Sequence, residues 1–269
     1  MLYNYRIVVV TPAGRRRYLE LLIPQIIKLR PVVDEYRLWV NTVDNNDIEY
    51  MKSVEKEYPD FIKLEYLTIP HNGNFSICSF FKNCTDLKTI YVRFDDDIIF
   101  VDKIESFTKF IEFRINNPEY FLVYANILNN AVISHIHQRL GNFNLDKGIT
   151  GYSCMDNIGW NNQEFAVNLH NTILKEPVDL SKYYFNKWIL YFFERVSINC
   201  LAWLGSTFAE FNGNVDRDEE QWLSVDYPKS VNKMNIIFGN FVVVHYAFYP
   251  QRELVDKTDI LNRYRNLII

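Results

Sequence analysis

Three consecutive carboxylates follow a run of apolar residues in the first half of the chain. Asp95, Asp96 and Asp97 come directly after residues 89–94, whose β-branched and aromatic side chains predict a buried strand. Like charges this close repel one another, and burying them is costly unless a cation compensates. Because residues i and i+2 of an extended segment point the same way, Asp95 and Asp97 can share one ligand. The pattern predicts a hard divalent cation bound through oxygen.

A simpler interpretation of these aspartates stays open. Acids after a strand also suit a solvated turn or the N-terminus of a helix, with Asp102 as the next candidate cap. Here, however, Ile98-Ile99-Phe100 follows the acids, so they stand between two apolar runs and not within a polar loop. That context favours a ligand site at the carboxyl edge of a sheet, where α/β folds bind ligands.

A second acidic cluster and a histidine lie much later in the sequence. Asp218-Glu219-Glu220 suits the start of a helix, where carboxylates favour the dipole. Residues 240–244 predict an apolar strand that places His245 at its end. Histidine is a common metal ligand, and its position after a strand resembles that of the aspartates.

The segment after the first predicted strand, residues 5–10, contains a turn that opens a helix. It reads Thr11-Pro12-Ala13-Gly14-Arg15. The free amides at a helix N-terminus suit an anion, and three successive arginines add positive charge. The sequence matches neither a phosphate-binding Walker loop nor a three-glycine dinucleotide motif. Both an ordinary connector and part of a nucleotide pocket remain open.

The surrounding elements alternate between strand and helix. Continuous apolar runs predict strands at 5–10, 36–41, 61–67 and 89–94, and helical spacing predicts helices at 16–29, 47–58 and 75–84. Such alternation predicts an α/β fold with a mostly parallel central sheet flanked by helices. The second half is less regular. We predict helices at 103–115, 161–174 and 180–194 and a further helix that closes the chain. We predict strands at 120–125, 197–203, 206–211 and 240–244, and little regular structure at 131–156.

Composition limits the class of protein. The 269 residues are 48% hydrophobic with a net charge of −4, so a large core is expected and bulk attraction to nucleic acid is not. We expect neither a signal peptide nor a transmembrane helix, because no suitable apolar stretch occurs. The four cysteines lack metal-ligand spacing and are expected to be reduced thiols of a cytoplasmic protein, with peripheral membrane contact left open.

Taken in order, these features resemble the GT-A fold glycosyltransferases, which use a nucleotide-sugar and a divalent metal. The resemblance covers most of the chain. It is carried by the strand-first half with Thr11–Arg15, the Asp-x-Asp motif in Arg93-Phe94-Asp95-Asp96-Asp97, the acidic stretch before Trp222, and His245 after a late strand. It implies a single domain with a nucleotide-sugar half at 1–101 and an acceptor-binding and catalytic half at 102–269.

The resemblance also implies roles for individual residues. Asp97, Asp95 and His245 would hold Mn²⁺ or Mg²⁺, and Glu219 would be the catalytic base of an inverting transfer, with Asp218 and Glu220 as alternatives. Glutamate stands where the family usually has aspartate. The implied contacts to the nucleotide-sugar come from Thr11, Pro12, Ala13, Gly14, Arg15, Asn41, Arg93, Asp95 and Asp96. The partners would be a nucleoside-diphosphate sugar and a glycan or glycoconjugate acceptor.

Two other functions remain open from the sequence. A sugar-phosphate nucleotidyltransferase shares the same half-fold, although its usual glycine-rich, lysine-containing turn is poorly matched by residues 11–15. A glycan-binding protein with a structural metal site is the non-catalytic alternative. The donor sugar, the base, the linkage and the oligomeric state are not predicted.

Overall fold

The computed structural model describes residues 2–144 and 146–268. Within them a single sheet of nine strands runs through the molecule. The strands are β1 Arg6–Ala13, β2 Glu35–Val40, β3 Ile62–Tyr66, β4 Thr89–Phe94, β5 Ile98–Val101, β6 Val123–Leu128, β7 Lys187–Leu190, β8 Cys200–Leu204 and β9 Asn235–His245. Their order is β3-β2-β1-β4-β8-β6-β9-β5, and β7 pairs with the other end of β9.

The sheet changes character at β4. The strands β3, β2, β1 and β4 are parallel, as their near-continuous apolar sequences predict. The strand β8 then pairs antiparallel with both β4 and β6, and β9 pairs parallel with β6 but antiparallel with β5 and β7. The predicted α/β fold is therefore confirmed, while the expectation of a mostly parallel sheet holds only for the first half.

Helices cover the sheet. The longer ones are α1 Arg16–Lys28, α2 Asn45–Glu57, α3 Ile104–Asn116, α4 Ala131–Arg139 and α5 Gln163–Ile173. The shorter ones are α6 Gly205–Ala209, α7 Glu219–Gln221, α8 Tyr227–Val231, α9 Arg252–Val255 and α10 Ile260–Ile268. Amphipathic spacing explains α1, whose apolar face is buried against β5 and the core, and Pro24 is accommodated within it.

Three predictions for the second half were wrong. Residues 131–139 form a helix, because the Asn130 side chain accepts a hydrogen bond from the Ile133 amide and caps it. Residues 180–194 do not form a helix: a short 3₁₀ turn, Leu180–Tyr183, is followed by β7, which pairs with β9. Residues 206–211 are not a strand, since α6 begins at Gly205. In each case a tertiary or capping contact overrides the local preference.

The helical segment from α7 to α8 begins at Glu219 and contains one π-helical turn, Trp222–Asp226. Pro228 has no amide hydrogen, so the Ser224 carbonyl loses its usual helical partner. The Asn235 side chain donates to the Leu223 and Ser224 carbonyls at 3.3 and 3.2 Å. Asn235 also accepts from the Leu122 amide at 3.0 Å, so β9 fixes the direction of this helical segment.

The core has two clusters, a large one on β1, β2, β4 and their helices, and a smaller one beneath α5, α9 and α10. In the part of the chain that the structure describes, none of the helices has the length and apolar character needed to cross a membrane.

Candidate functional site

The first acidic triplet lies in the tight turn between β4 and β5. The Ile98 amide donates to the Asp95 carbonyl at 3.0 Å and closes the turn. Asp95 faces Arg93 at 2.8 Å and the Asn199 amide group at 3.2 Å. It therefore points to different partners from Asp97, and the prediction that the two share one ligand does not match this geometry. The tight turn breaks the extended backbone on which that prediction depended.

Asp96 joins the triplet to the segment after β1. Its carboxylate accepts from the Gly14 amide at 3.1 Å and from Arg15 Nε at 3.0 Å. A Cβ on Gly14 would lie only 2.9 Å from the Asn41 carbonyl oxygen, so the close approach of these strand ends requires glycine. Burial raises the pKa of Asp96, against the lowering effect of Arg15.

Asp97 is surrounded by positive groups. Its Oδ2 atom lies 3.0 Å from Arg15 Nη2, 3.1 Å from Arg252 Nη2 and 3.5 Å from His245 Nε2. Burial alone would raise the pKa of this carboxyl, but Arg15, His245 and Arg252 outweigh it and hold the pKa well below its usual range. Asp97 is therefore held as an anion.

The register between β5 and β9 places His245 beside Asp97. The antiparallel pairing of β5 with β9 sets Ile98 opposite His245, and the Tyr246 amide donates to the Asp97 carbonyl at 2.9 Å. Nδ1 of His245 lies 2.9 Å from the Asn129 carbonyl oxygen, so the ring donates its Nδ1 hydrogen there. In the neutral ring, Nε2 then presents its lone pair toward Asp97.

The second acidic triplet, Asp218–Glu220, pairs with two arginines. Asp218 caps α7 through the Gln221 amide and pairs with Arg195 at 3.0 Å. Glu220 pairs with the same Arg195 at 2.8 Å. Glu219 instead turns inward and lies 3.0 Å from Arg93 Nη1. Asp218 and Glu220 are thus neutralised by a partly exposed cation, whereas Glu219 is buried.

Glu219 has the properties of a proton acceptor. Burial raises its pKa to about 7, against the lowering effect of Arg93. Among the described residues, its Oε2 atom has no hydrogen-bond partner although it is buried. A buried carboxylate of this kind is suited to exchange a proton near neutral pH.

Arg93 connects the two triplets. It is 3% exposed, projects from β4, and pairs with Asp95 on one side and Glu219 on the other. Its contact with Asp95 spans two residues of the chain, whereas its contact with Glu219 joins the two halves. Because Arg93 is buried and pairs with both carboxylates, it fixes the relative positions of the two acidic segments.

Both triplets line one open cleft of about 1010 Å³. Six carboxylates and five guanidinium groups of the described residues border it, so its charges are nearly balanced. Seven of the nine predicted nucleotide-binding residues line the cleft: Pro12, Gly14, Arg15, Asn41, Arg93, Asp95 and Asp96. Thr11 and Ala13 do not, because β1 continues to Ala13 and buries both side chains.

Several cleft residues were missed by sequence reasoning. They are His71, Phe75, Arg195, Asn199, Arg217 and Arg252. Arg195 and Arg252 are separated in sequence from the acids that they pair with, by 23 residues for Arg195 and Asp218 and by 155 residues for Arg252 and Asp97, so no local pattern marks them. His71 and Phe75 belong to a loop whose sequence indicates only a turn.

The predicted metal ligands are brought together in part. Asp97 and His245 face each other; a carboxylate oxygen suits Mn²⁺ or Mg²⁺, and the imidazole nitrogen favours Mn²⁺ over Mg²⁺. Asp95 is engaged elsewhere, and within residues 2–144 and 146–268 no group of three or more His, Cys, Asp or Glu side chains forms a ready metal site. Two protein ligands remain, which fits a metal completed by substrate phosphates and water.

Comparison with known proteins concerns the fold. No protein-family model and no curated protein matches the sequence. The crystal structure of GalNAc-T7 with UDP, GalNAc and Mn²⁺ superposes with a TM-score of 0.52 at 9% identity, over 91% of this chain and 44% of that one. A 4-diphosphocytidyl-2C-methyl-D-erythritol synthase from Anaerococcus prevotii gives 0.49 at 12% identity, over 98% of each chain.

A mannose-1-phosphate geranyltransferase from Thermus thermophilus gives a TM-score of 0.41 at 11% identity, over 89% of this chain and 75% of that one. The chain spans less than half the length of the GalNAc-T7 chain. At 9% identity the likeness to the GalNAc-T7 structure shows the fold alone: a mixed α/β domain whose central sheet is flanked by helices.

Proposed function

We propose that this protein is a metal-dependent glycosyltransferase that moves a sugar from a nucleoside-diphosphate sugar to a hydroxyl acceptor with inversion. The observation that carries the proposal is the convergence of Glu219 and His245 with Asp97, which precedes both by more than a hundred residues in sequence, on one cleft. A base and a cation-binding pair are the two parts that such a transfer needs.

The donor would lie at the carboxyl ends of β1, β2 and β4, where open α/β sheets bind ligands. Pro12, Gly14 and Asn41 border this region, and Arg15 supplies a cation for the diphosphate. This assigns the donor mainly to residues 1–101 and the acceptor to residues 102–269. His245 and Arg252 of the second half nevertheless contact Asp97, so the donor site draws on both.

Asp97 Oδ2 and His245 Nε2 would hold the metal, with Asn129 fixing the imidazole tautomer. Bound there, Mn²⁺ or Mg²⁺ would stabilise the negative charge on the leaving diphosphate. Glu219 would accept the proton of the acceptor hydroxyl as that oxygen attacks the anomeric carbon. Asp218 and Glu220 are less suited to this role, because Arg195 pairs with both of them.

The proposal is tested by thermal shift with a panel of nucleoside-diphosphate sugars, with and without Mn²⁺. Binding to the folded state raises the melting temperature, by an amount that grows with ligand concentration over Kd. We expect one nucleotide class to stabilise the protein in a Mn²⁺-dependent way. No stabilisation by any donor would contradict the proposal, and so would binding of free glycans alone, as expected of a non-catalytic glycan-binding protein.

A product assay separates the two enzyme classes. With the donor that binds, a glycosyltransferase releases the nucleoside diphosphate. Incubation with sugar 1-phosphates and nucleoside triphosphates should release no pyrophosphate. Pyrophosphate release would assign the protein as a sugar-phosphate nucleotidyltransferase instead.

A further inference from the structure

One oxygen atom of the cleft is contacted by three nitrogen atoms. Asp97 Oδ2 accepts a hydrogen bond from Arg252, forms an ion pair with Arg15 at 3.0 Å and faces His245, and the Asp97 side chain is only 4% exposed. A single carboxylate oxygen needs no more than one cation for neutralisation. The two arginines therefore provide more positive charge here than Asp97 alone requires, and Asp96 takes up part of it through Arg15.

The same oxygen is the one that a divalent metal would bind. The 3.5 Å between Asp97 Oδ2 and His245 Nε2 is long for a hydrogen bond. It is close to the separation of about 3 Å expected for neighbouring ligands of an octahedral ion with bonds of roughly 2.1 Å. A metal at this point would meet both guanidinium groups at short range, and like charges repel. The arginines and the metal are therefore competitors.

The two arginines differ in how firmly they are held. Arg15 contacts Asp96 as well as Asp97, and its guanidinium lies over the Tyr18 ring with 5.1 Å to the ring centroid. Arg252 is held by Asp97 and by a 3.3 Å hydrogen bond to the Ala247 carbonyl. Arg252 follows the end of β9 and borders the open cleft. It is the arginine that can leave Asp97 at the smaller cost.

We propose that Arg252 is a gate that couples metal binding to diphosphate binding. Without nucleotide, Arg252 stays on Asp97 and opposes the metal. A diphosphate offers the guanidinium a stronger, bidentate anionic partner, so Arg252 moves to the phosphates and Asp97 becomes free for the metal. The inference rests on the proposed function and adds to it: the metal binds weakly alone and tightly together with the nucleotide.

Mn²⁺ binding tests the gate without any activity assay. The electron paramagnetic resonance signal of free Mn²⁺ is titrated with wild-type protein and with Arg252→Gln, in each case without nucleotide and with UDP or GDP. The binding of Mn²⁺ to these nucleotides in solution is subtracted. Glutamine retains an N–H donor for the Ala247 carbonyl. If Arg252→Gln folds poorly, the same titration is made with Arg252→Met, whose side chain is uncharged and unbranched.

In wild type we expect the nucleotide to tighten Mn²⁺ binding by about 5- to 150-fold, the usual range of coupling between sites. In Arg252→Gln we expect Mn²⁺ alone to bind about tenfold more tightly than in wild type, and the coupling to fall correspondingly. Arg252→Lys keeps the charge but not the bidentate guanidinium, so Mn²⁺ alone should bind about as weakly as in wild type, and the coupling should be smaller than in wild type. Arg263→Gln is the matched control, because Arg263 has similar exposure but pairs with Asp259 outside the cleft.

Unchanged or weaker binding of Mn²⁺ alone in Arg252→Gln and Arg252→Met would overturn the gate. The same change in Arg263→Gln would overturn it too, since the effect would then be one of net charge. If neither nucleotide binds to wild type, and the wider donor panel fails as well, the proposed function falls. The titration with Mn²⁺ alone still shows whether Arg252 and the metal compete for Asp97. Failure of the gate and failure of the proposed function can therefore be distinguished.

Discussion

The two acidic triplets of this protein are alike in sequence, but Asp97 of the first and Glu219 of the second differ in the direction in which their pKa values are shifted. Asp95–Asp97 follows a parallel strand, and its last member is an anion held by two arginines and a histidine. Asp218–Glu220 begins a helix, and its middle member is buried with its pKa raised to about 7. The difference lies in the number of cations that reach each buried carboxylate. A buried carboxylate that two guanidinium groups contact stays ionised, whereas a buried carboxylate that shares one guanidinium with another carboxylate can take up a proton.

Arg93 makes this contrast possible, because it serves both triplets at once. Its single positive charge is divided between two buried carboxylates, and burial raises the pKa of both Asp95 and Glu219 against the lowering effect of Arg93. Arg195 likewise takes the two outer members of the second triplet and leaves Glu219 to Arg93. The four predictions below test the contrast between the triplets, beginning with the largest expected effect.

Glu219→Gln should abolish most of the transfer, lowering kcat by about 10²–10⁴-fold, because general base catalysis typically contributes that much. Donor affinity should stay within a few fold of wild type. The measurement is single-turnover transfer at saturating donor, with donor Kd from calorimetry. Glu220→Gln is the matched control and should be far less affected. Similar losses in both variants would assign no special role to Glu219.

Asp97→Asn should impair the binding of metal and nucleotide rather than proton transfer. Loss of a residue that only supports a metal ligand costs about 10–100-fold in metal affinity, and loss of a ligand should cost no less. Calorimetric titration of nucleotide with and without Mn²⁺ measures the effect. Asp96→Asn removes a neighbouring carboxylate that pairs with Arg15 and Gly14, and it should weaken Mn²⁺ binding less. Wild-type titrations for Asp97→Asn would remove the metal assignment.

The pH dependence of transfer should follow Glu219. The base acts as the carboxylate, so kcat/KM should fall about tenfold for each pH unit below about 7 and level off above it. Asp97 should not contribute in this range, since its pKa is held well below the usual value. A profile that stays flat down to pH 5 would contradict the assignment of a buried base with a raised pKa.

Arg195→Gln should have the smallest effect. The arginine is 32% exposed, and ion pairs of this kind contribute roughly 0.2–1 kcal/mol to folding. Its removal leaves Glu220 without its cation beside Glu219, and a neighbouring negative charge raises a carboxyl pKa. We therefore expect a change of a few fold in rate and a shift of the pH midpoint to higher pH. A shift to lower pH would contradict this electrostatic account.

Local sequence patterns determined a large part of the architecture. The alternation of apolar strands and amphipathic helices up to Phe94 predicts the parallel half of the sheet closely, and Thr89–Phe94 is the observed β4. Such strands are buried on both faces, so their signal is continuous and strong. Beyond α3 the strands pair with partners far along the chain, mostly antiparallel, and the conformation of segments such as 180–194 is decided by those partners.

For the candidate site, the sequence by itself singled out the acidic residues and His245, because charges and an imidazole at the ends of apolar runs are unusual. Only the tertiary structure decided which of them meet. Asp97 faces His245 because β5 pairs with β9, and Asp95 faces Arg93 because the turn between β4 and β5 is tight. Apart from Arg93, which stands two residues before Asp95, the arginines that pair with these carboxylates come from distant segments. Since electrostatic effects depend on distance in space, no local pattern could reveal them.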